Sequence, residues 1–430
     1  MIGGLMKTTS YLAIATAASL MLGGAVLAPK AARAADLGGD CCADLEGRVA
    51  ELEATTVRKG YKKVSLTITG RVAATMTFWS DGGGTDPDFV TDTNQDLYFG
   101  DHSGNGPQII LKGEGKISSD LSGGFYIELN PNSITGGTHS DTEPDLHVGS
   151  GDTQISHVAP GGNVGTSNTY VYLNSKHLGQ LQLGHTDNAG DEYFANFNGS
   201  WVAGEEAGRF TSLSLRDVTG DLTLTSYGAN LSTLEPGGED GLRYISPDFN
   251  GFSFGASVAG DTNWGVGANY SGTFHTVSIK AGVGYAARSE LDGILDPNNA
   301  NYLGLSAGIK ESGSGLFLEG QWSKKTFNIA GRTDATDWLI EGGWAKNVSG
   351  AGDLTIWGAY NRNDSVAFSG VAAHDFQIGV DQAVDSAAMH LFLTYENDSL
   401  DSSYIDATDD VALVNPQSSS SVTAGASISF

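Results

Sequence analysis

A strict alternation of apolar and polar residues begins at Val64 and continues to Phe78. In VSLTITGRVAATMTFW every even position is apolar or glycine, whereas the odd positions are mostly Ser, Thr or Arg. Successive side chains of a β-strand point to opposite faces, so this period of two predicts a single long strand. Strands usually have about 5 to 6 residues. The length and regularity of this one indicate that its two faces meet different solvents.

The same alternation recurs along the rest of the chain, as in FSFGASVA, HTVSIKAGVGY, DWLIEGGW and MHLFLTY. Each stretch is close to the roughly 9 to 11 residues that a tilted strand needs to cross a hydrocarbon layer. Aromatic residues stand at the ends of these stretches, which is typical of strands whose ends meet a membrane interface. These residues are Trp264, Tyr270, Tyr285, Trp322, Trp338, Trp344, Tyr360 and Tyr395.

The connections between the stretches alternate in length. Tight links such as SKHLG and SPDFNG alternate along the chain with longer segments such as residues 131–165 and 186–208. A barrel with short turns at one end and long loops at the other produces this rhythm. The pattern therefore predicts an all-β fold, a transmembrane antiparallel β-barrel of 16 to 18 strands.

The last segment of the chain, SVTAGASISF, also alternates, with Phe430 at its end. An open sheet edge in lipid would leave backbone groups without hydrogen-bond partners. We therefore expect this segment to close the barrel by pairing with VSLTITGRV in the first strand. The alternation places Phe430 in the lipid-facing row, at the inner interface of the membrane.

Composition and charge support this class of fold and narrow the partners. The 60 glycines and the 17% of charged residues favour short strands and turns over long helices. The formal charge of −27, from 23 basic and 50 acidic residues, repels phosphate and excludes DNA and RNA as partners. Cations are the natural small partners of such a chain.

The first 61 residues differ from the rest. Lys7, the apolar run YLAIATAASLMLGGAVLA and the AARA sequence predict a signal peptide over residues 1–34. Residues 35–61 then form a short helical segment, because Leu45, Val49 and Leu52 have heptad spacing. It is either an amphipathic helix on its own domain or a short coiled coil between subunits. Residues 62–430 form the barrel domain.

The sequence assigns no specific chemical role to two of its polar features. Cys41 and Cys42 are adjacent and cannot staple the fold, so they are either exposed thiols or a link between subunits. The loop after residue 131 is rich in Asp, Glu and His, but its spacing does not match the twelve-residue calcium loop. Surface solvation is the simpler role for this loop, and we predict no metal site and no cofactor.

Several segments, taken in order, resemble the bacterial outer-membrane porins, especially the type common in alphaproteobacteria. They are CCADLEGRVAELEATT, YVYLNSKHLGQLQLGHTDNAGDEY, RYISPDFNGFSFGASV and the terminal Phe430. The resemblance implies a homotrimer of water-filled barrels in the Gram-negative outer membrane, surrounded by lipid, which small hydrophilic solutes and ions cross by passive diffusion. It also implies that Phe430 is the signal read by the barrel assembly machinery.

The resemblance further implies that residues 186–207, after the fifth strand, fold into the lumen as a constriction loop. This chain has DNAGDEYFANFNG where some porins carry PEFGG. A channel performs no bond chemistry and selects by pore width and by the charges at its narrowest point. The candidate site is therefore a set of charged side chains around the constriction, and we predict no catalytic residue.

Strand parity predicts which charged residues point into the lumen. They are Arg71, Lys112, Glu114, Arg216, Arg243 and Lys280, with Asp187, Asp191, Glu192, Glu205 and Glu206 on or near the constriction loop. We expect Arg71 and Arg243 on the wall to oppose Asp191 and Glu192 on the loop. Because acidic candidates outnumber basic candidates, we predict a mild preference for cations.

Three alternatives to a general porin remain, one within the channel class and two outside it. A substrate-selective outer-membrane channel has the same sequence features as a general porin. An outer-membrane barrel enzyme, such as a lipase or protease, would need a catalytic set, and the chain has no GxSxG motif. A secreted soluble β-sandwich or adhesin would need polar outer faces, whereas the regular face is apolar on nearly every strand here.

Overall fold

The fold is described from a computed structural model. It describes residues 63–80, 95–100, 106–131, 164–191, 214–216, 222–226, 234–260, 262–289, 299–329, 331–365, 369–401, 404–405, 412–413 and 418–430. The chain divides into two units, Met1–Lys59 and Gly60–Phe430, and all described residues belong to the second. The predicted signal peptide, the predicted helix within residues 35–61 and the cysteine pair lie outside the described residues. No described helix is long and apolar enough to cross a membrane.

Strands make up most of the described chain. In order they are β1 (Ser65–Ser80), β2 (Gln95–Gly100), β3 (Gln108–Lys116), β4 (Leu121–Pro131), β5 (Val164–Ser175), β6 (Gly179–Asp187), β7 (Ser214–Arg216), β8 (Leu222–Ser226), β9 (Gly238–Ile245), β10 (Phe252–Ala259) and β11 (Asn263–Phe274). They continue as β12 (Val277–Arg288), β13 (Ala300–Glu311), β14 (Leu316–Phe327), β15 (Ala335–Lys346), β16 (Leu354–Asp364), β17 (Ala372–Val384), β18 (Met389–Leu400), β19 (Tyr404–Ile405), β20 (Ala412–Leu413) and β21 (Ser419–Ser429). Single turns of 3₁₀ helix form at Ala189–Asp191 and Asp385–Ala387.

Seventeen of these strands form one closed antiparallel sheet with sixteen positions around the ring. β2 and β3 share a position, because β2 pairs with the second half of β1 and β3 pairs with the first half. The barrel prediction is confirmed, with the lower of the predicted strand numbers. β7 pairs with β8 and β19 pairs with β20 in separate two-stranded sheets. Alternating stretches outside the ring therefore inflated the count made from the sequence.

The barrel closes between β1 and β21, as predicted, but in a different register. β21 pairs with the second half of β1, from Arg71 opposite Ser429 to Ser80 opposite Ser420. The predicted pairing of β21 with VSLTITGRV was therefore mostly wrong, because the first half of β1 extends past the end of β21. Phe430 completes the pairing, since its N–H and C=O each form a 2.9 Å backbone hydrogen bond with Gly70.

The two faces of the sheet carry opposite chemistry. Apolar side chains on the outer face are exposed, including Phe254, Val266, Ile340, Ile356 and Ile378. Polar side chains at the intervening positions face inward and are buried, including Ser257, Gln321, Asp337, Asn361 and Gln377. An apolar band of this extent is stable only where its solvent is lipid, whereas the inner face suits a polar lumen.

The chain turns tightly at one end of the barrel. Short connections there include residues 176–178, 275–276 and 385–388, and Phe430 lies at the same end. The structure corrects one boundary, because β11 continues through SGT to Phe274 and turns at His275, which has a φ of 56°. The longest connections between ring strands, such as residues 132–163 and 401–418, lie at the opposite end.

Aromatic side chains of the inner face near the turn end lie over glycines of the next strand. The directly paired residues are Phe317 with Gly343, Trp357 with Gly379, and Phe392 with Gly425. A Cβ on Gly379 would lie 2.4 Å from a ring carbon of Trp357. The three aromatic rings belong to one buried apolar cluster. Aromatic rings laid over cross-strand glycines help to fix the register of a curved sheet.

Deletion of Phe430 tests the closure. We expect at least about tenfold less assembled barrel in outer membranes, because two backbone hydrogen bonds of about 1 kcal/mol each are lost with the ring over Gly70. Single-channel conductance of the barrels that do insert should not change. Heat-modifiable mobility in membrane fractions measures assembly. Phe430→Tyr is the control and should assemble normally; normal insertion of the deletion variant would contradict the prediction.

Gly379→Ala tests the aromatic–glycine packing. The added methyl group would overlap Trp357, and overpacking of this kind costs about 1 to 3 kcal/mol. Gly358→Ala is the matched control on the neighbouring strand, since its Cβ would meet no atom closer than 3.6 Å. Denaturant titrations of the folded barrel in detergent compare the two free energies of unfolding. An equal loss of unfolding free energy in both variants would show that the contact of Gly379 with Trp357 does not contribute to stability.

Candidate functional site

The chain turns into the barrel directly after β6, the fifth strand of the ring. The 3₁₀ turn at Ala189–Asp191 lies against the inner faces of β10, β11 and β12. The Ala189 N–H donates to Ser257 Oγ at 2.9 Å, and Asn188 Nδ2 donates to Glu239 Oε2 at 3.1 Å. The described start of the predicted constriction loop therefore runs along the inner wall. Residues 192–207 lie outside the described residues.

Small residues on both sides permit this close approach. A Cβ on Gly265 of β11 would lie 1.7 Å from Asn188 Oδ1, and a Cβ on Gly190 would lie 2.7 Å from the backbone of Tyr285. Only glycine fits at these two positions. Asn188 Oδ1 also accepts a 2.8 Å hydrogen bond from the Gly190 N–H. Sequence reasoning missed Asn188 and Gly265, because their contact is not local in the chain.

A cavity of about 380 Å³ opens beside this turn. Four of the predicted charged residues line it, namely Asp187, Asp191, Arg243 and Lys280. Arg243 is 8% exposed, and its Nη1 lies 3.6 Å from Asp187 Oδ2. Asn168 Nδ2 donates to the same carboxylate oxygen at 3.3 Å. The site therefore places fixed charges of both signs around one opening on the inner face.

A second ion pair supports the turn. Arg288 Nε lies 2.7 Å from Glu239 Oε1, and both side chains are mostly buried. Arg288 also donates to the carbonyl oxygen of Pro236. Glu239 thus joins Arg288 on β12 to Asn188 at the start of the loop. Neither Glu239 nor Arg288 was predicted, although strand parity places both of them on the inner face.

The remaining wall candidates lie elsewhere on the inner face. Lys112 and Glu114 are on β3, where Tyr172 donates to Glu114 Oε2 at 3.0 Å and its ring centroid lies 5.8 Å from Lys112 Nζ. Arg71 Nε donates to the carbonyl oxygen of Gly106 at 3.0 Å. These three residues do not line the cavity beside Asp187. The expected opposition of Arg71 to the loop is therefore not seen among the described residues.

Arg216 requires a correction. It ends β7, which pairs only with β8 in a two-stranded sheet, so Arg216 is not on the barrel wall. An alternating stretch on a loop has the same period as a barrel strand, and parity alone cannot separate the two. Glu192, Glu205 and Glu206 lie outside the described residues, so their predicted place on the loop stays a prediction.

Carboxylates concentrate on the part of the wall formed by β14 to β18. The inward, buried ones are Glu319, Asp337, Glu341, Asp375, Asp381, Glu396 and Asp398. β17 is eight positions away from β9, which carries Arg243, on the sixteen-position ring. The acidic wall thus lies across the barrel from Arg243. Strand parity places these carboxylates on the inner face as well, although they were not among the predicted residues.

Comparisons with known proteins agree with this architecture. A family model described as Gram-negative porin matches residues 15–403. The chain belongs to the Gram-negative porin family. This porin is therefore an outer-membrane protein that forms a channel. No curated protein matches the porin by sequence. The match does not separate types of porin, so the resemblance to the alphaproteobacterial type stays a prediction.

Solved structures share the fold of this porin at low sequence identity. The anion-selective porin from Comamonas acidovorans has a TM-score of 0.52 and 14% identity, covering 85% of this chain and 100% of that chain. A trimer form of OmpT from Vibrio cholerae has a TM-score of 0.50 and 10% identity, covering 86% and 100%. The DcaP channel of Acinetobacter baumannii has a TM-score of 0.50 and 12% identity, covering 86% and 99%.

Arg243→Gln tests the charge at the cavity. A unit charge about 8 Å from an ion in water contributes about 0.5 kcal/mol, so its removal should change the local concentration of each ion about twofold. We expect a higher potassium-to-chloride permeability ratio in reversal potentials at low salt. Arg362→Gln is the control, since this outward guanidinium pairs with Asp364. An equal shift in both variants would rule out a specific role for Arg243.

Proposed function

We propose that this porin is a water-filled channel for the passive diffusion of small hydrophilic solutes and ions, with a mild preference for cations. One observation supports the preference: carboxylates outnumber cations on the described inner face. The carboxylates are Glu114, Glu128, Asp187, Asp191, Glu239, Glu319, Asp337, Glu341, Asp375, Asp381, Glu396 and Asp398, and the cations are Arg71, Lys112, Lys116, Arg243, Lys280, Arg288, Lys310 and Lys325.

The position of these charges matters as much as their number. A narrow opening with low-dielectric walls focuses the field of its fixed charges, and buried charges are screened less by salt than exposed ones. Excess carboxylates therefore concentrate cations in the lumen. The separation of Arg243 from the acidic wall also creates a transverse field, which favours polar solutes that can align with it.

We also infer that the channel carries out no enzymatic reaction, since membership of a channel family supports transport and the site selects by width and charge. The proposed partners are two further copies of this chain in a homotrimer, the outer-membrane lipids and the barrel assembly machinery. The trimer form of Vibrio cholerae OmpT supports the first of these. Removal of residues 1–34 as a signal peptide and a helix within residues 35–61 belong to the same proposal.

One observation favours the alternative of a substrate-selective channel. Tyr126 and Tyr170 stack on the inner face of β4 and β5 with centroids 5.1 Å apart, and Tyr172 meets Tyr170 edge-on. Tyr126 donates to Glu128 Oε2 at 3.2 Å. Aromatic rings flanked by carboxylates offer both an apolar face and hydrogen-bond acceptors. A sugar or other polyhydroxylated ring fits that chemistry.

Reversal potentials in a potassium chloride gradient test the cation preference. We expect the wild-type channel to favour potassium, and Asp187→Asn to reduce that preference, because the Asp187 side chain is 49% exposed at the cavity. The shift should have the opposite sign to that of Arg243→Gln. A wild-type channel that favours chloride would overturn the proposed selectivity.

Liposome swelling separates the proposed classes of function. General diffusion predicts that swelling rates fall smoothly with the size of the sugar, with no saturation. Saturable uptake of one sugar, lost in Tyr170→Ala, would instead support the selective channel. Ester or peptide hydrolysis by the purified barrel without swelling would contradict both kinds of channel.

A further inference from the structure

Four polar side chains form a compact group on the inner face of β17 and β18, near the loop end. Asp375 lies directly opposite Asp398, and Gln377 lies directly opposite Glu396. Each of the four side chains is at most 2% exposed. The group is on the acidic wall, across the barrel from the Asp187 and Arg243 cavity, so it belongs to a different part of the lumen.

The three carboxylates are close enough to share one ion. One oxygen from each of Asp375, Glu396 and Asp398 lies within 4.8 Å of the other two. A calcium ion binds oxygen at about 2.3 to 2.6 Å, so two of its ligands lie at most about 5 Å apart. A single ion placed among the three oxygens can therefore contact all of them.

Two side-chain amide oxygens beside the carboxylates accept no hydrogen bond from the described residues. Gln377 Nε2 donates to Asp375 Oδ2 at 2.5 Å, which brings the Gln377 amide to the carboxylates. Gln377 Oε1 has no hydrogen-bond partner among the described residues. Asn361 Oδ1, on the residue of β16 opposite Asp375, has none there either. Buried amide oxygens of this kind are rare without a donor or a cation.

A single shared proton does not account for the group. Three carboxylates this close cannot all remain ionised in a buried site without a positive charge. A shared proton would relieve the repulsion between two of them, but it would leave the amide oxygen of Gln377 without a partner. A cation satisfies the carboxylates and the amide oxygen together, and for that reason it fits the observations better.

We propose that β17 and β18 hold a divalent cation, calcium, between Asp375, Glu396 and Asp398, with Gln377 Oε1 as a neutral ligand. All the proposed ligand atoms are oxygens, which suits a hard cation and disfavours zinc. Calcium accepts six to eight ligands in irregular arrangements, whereas magnesium demands a near-ideal octahedron. The ion would tie β17 to β18 one strand away from β21, where the barrel closes.

The test measures calcium on the folded, purified barrel after treatment with EDTA. Equilibrium dialysis should show one more tightly bound calcium per chain in the wild type than in Glu396→Gln or Asp398→Asn. Calcium should also raise the midpoint temperature of the heat-modifiable transition in the wild type and not in these variants. Gln377→Met keeps all three carboxylates and should weaken calcium binding about tenfold, which covers the case that a charge variant fails to assemble.

Asp381→Asn is the matched control. Asp381 is also a buried inward carboxylate of β17, but it bonds His390 at 2.9 Å and lies outside the group. This variant should keep the extra calcium and the shift in midpoint. Equal calcium uptake by the wild type, Asp398→Asn and Gln377→Met would overturn the proposal. A midpoint that rises on acidification and not with calcium would do the same, because protonation would then stabilise the group.

Discussion

The backbone hydrogen bond is the interaction on which the rest of this structure depends. Within the hydrocarbon layer no water is present to satisfy an N–H or C=O group, so a sheet that crosses it has to close on itself. β1 meets β21 over the second half of its length, and Phe430 completes the pairing by bonding Gly70 in both directions. Closure turns one face of every strand toward lipid and the other toward the lumen. The alternating sequence is the consequence of that division.

The inner face has to hold polar groups in a confined space, and it does so in two ways. Near the turn end, Trp357 and its neighbours fill the wall by lying over glycines, so that part of the inner face is apolar. Toward the loop end, carboxylates and amides crowd together, and Asp375 and Asp398 lie directly opposite each other. Groups of like charge in such a site need a compensating positive charge, and a bound cation would supply it.

The charge pattern around the lumen connects the fold to transport. The chain leaves β6 and returns along the inner wall because glycines admit Asn188, and this path brings Asp187 and Asp191 beside Arg243. β17, in the acidic wall, stands eight ring positions away from β9, which carries Arg243. Fixed charges of both signs thus act across the lumen, and their excess of carboxylates is the physical basis for the proposed preference for cations.

The sequence by itself determined the barrel, its lipid-facing rows and the inward direction of Arg243 and Lys280, because a period of two is a local property of each strand. It also indicated where the chain turns inward, after the fifth strand. Only the tertiary structure decided the register of β21 against β1, the exclusion of Arg216 from the wall and the meeting of Gln377 with Glu396. These depend on which distant segments share hydrogen bonds, and an alternating pattern is unchanged when two strands shift past each other by two residues.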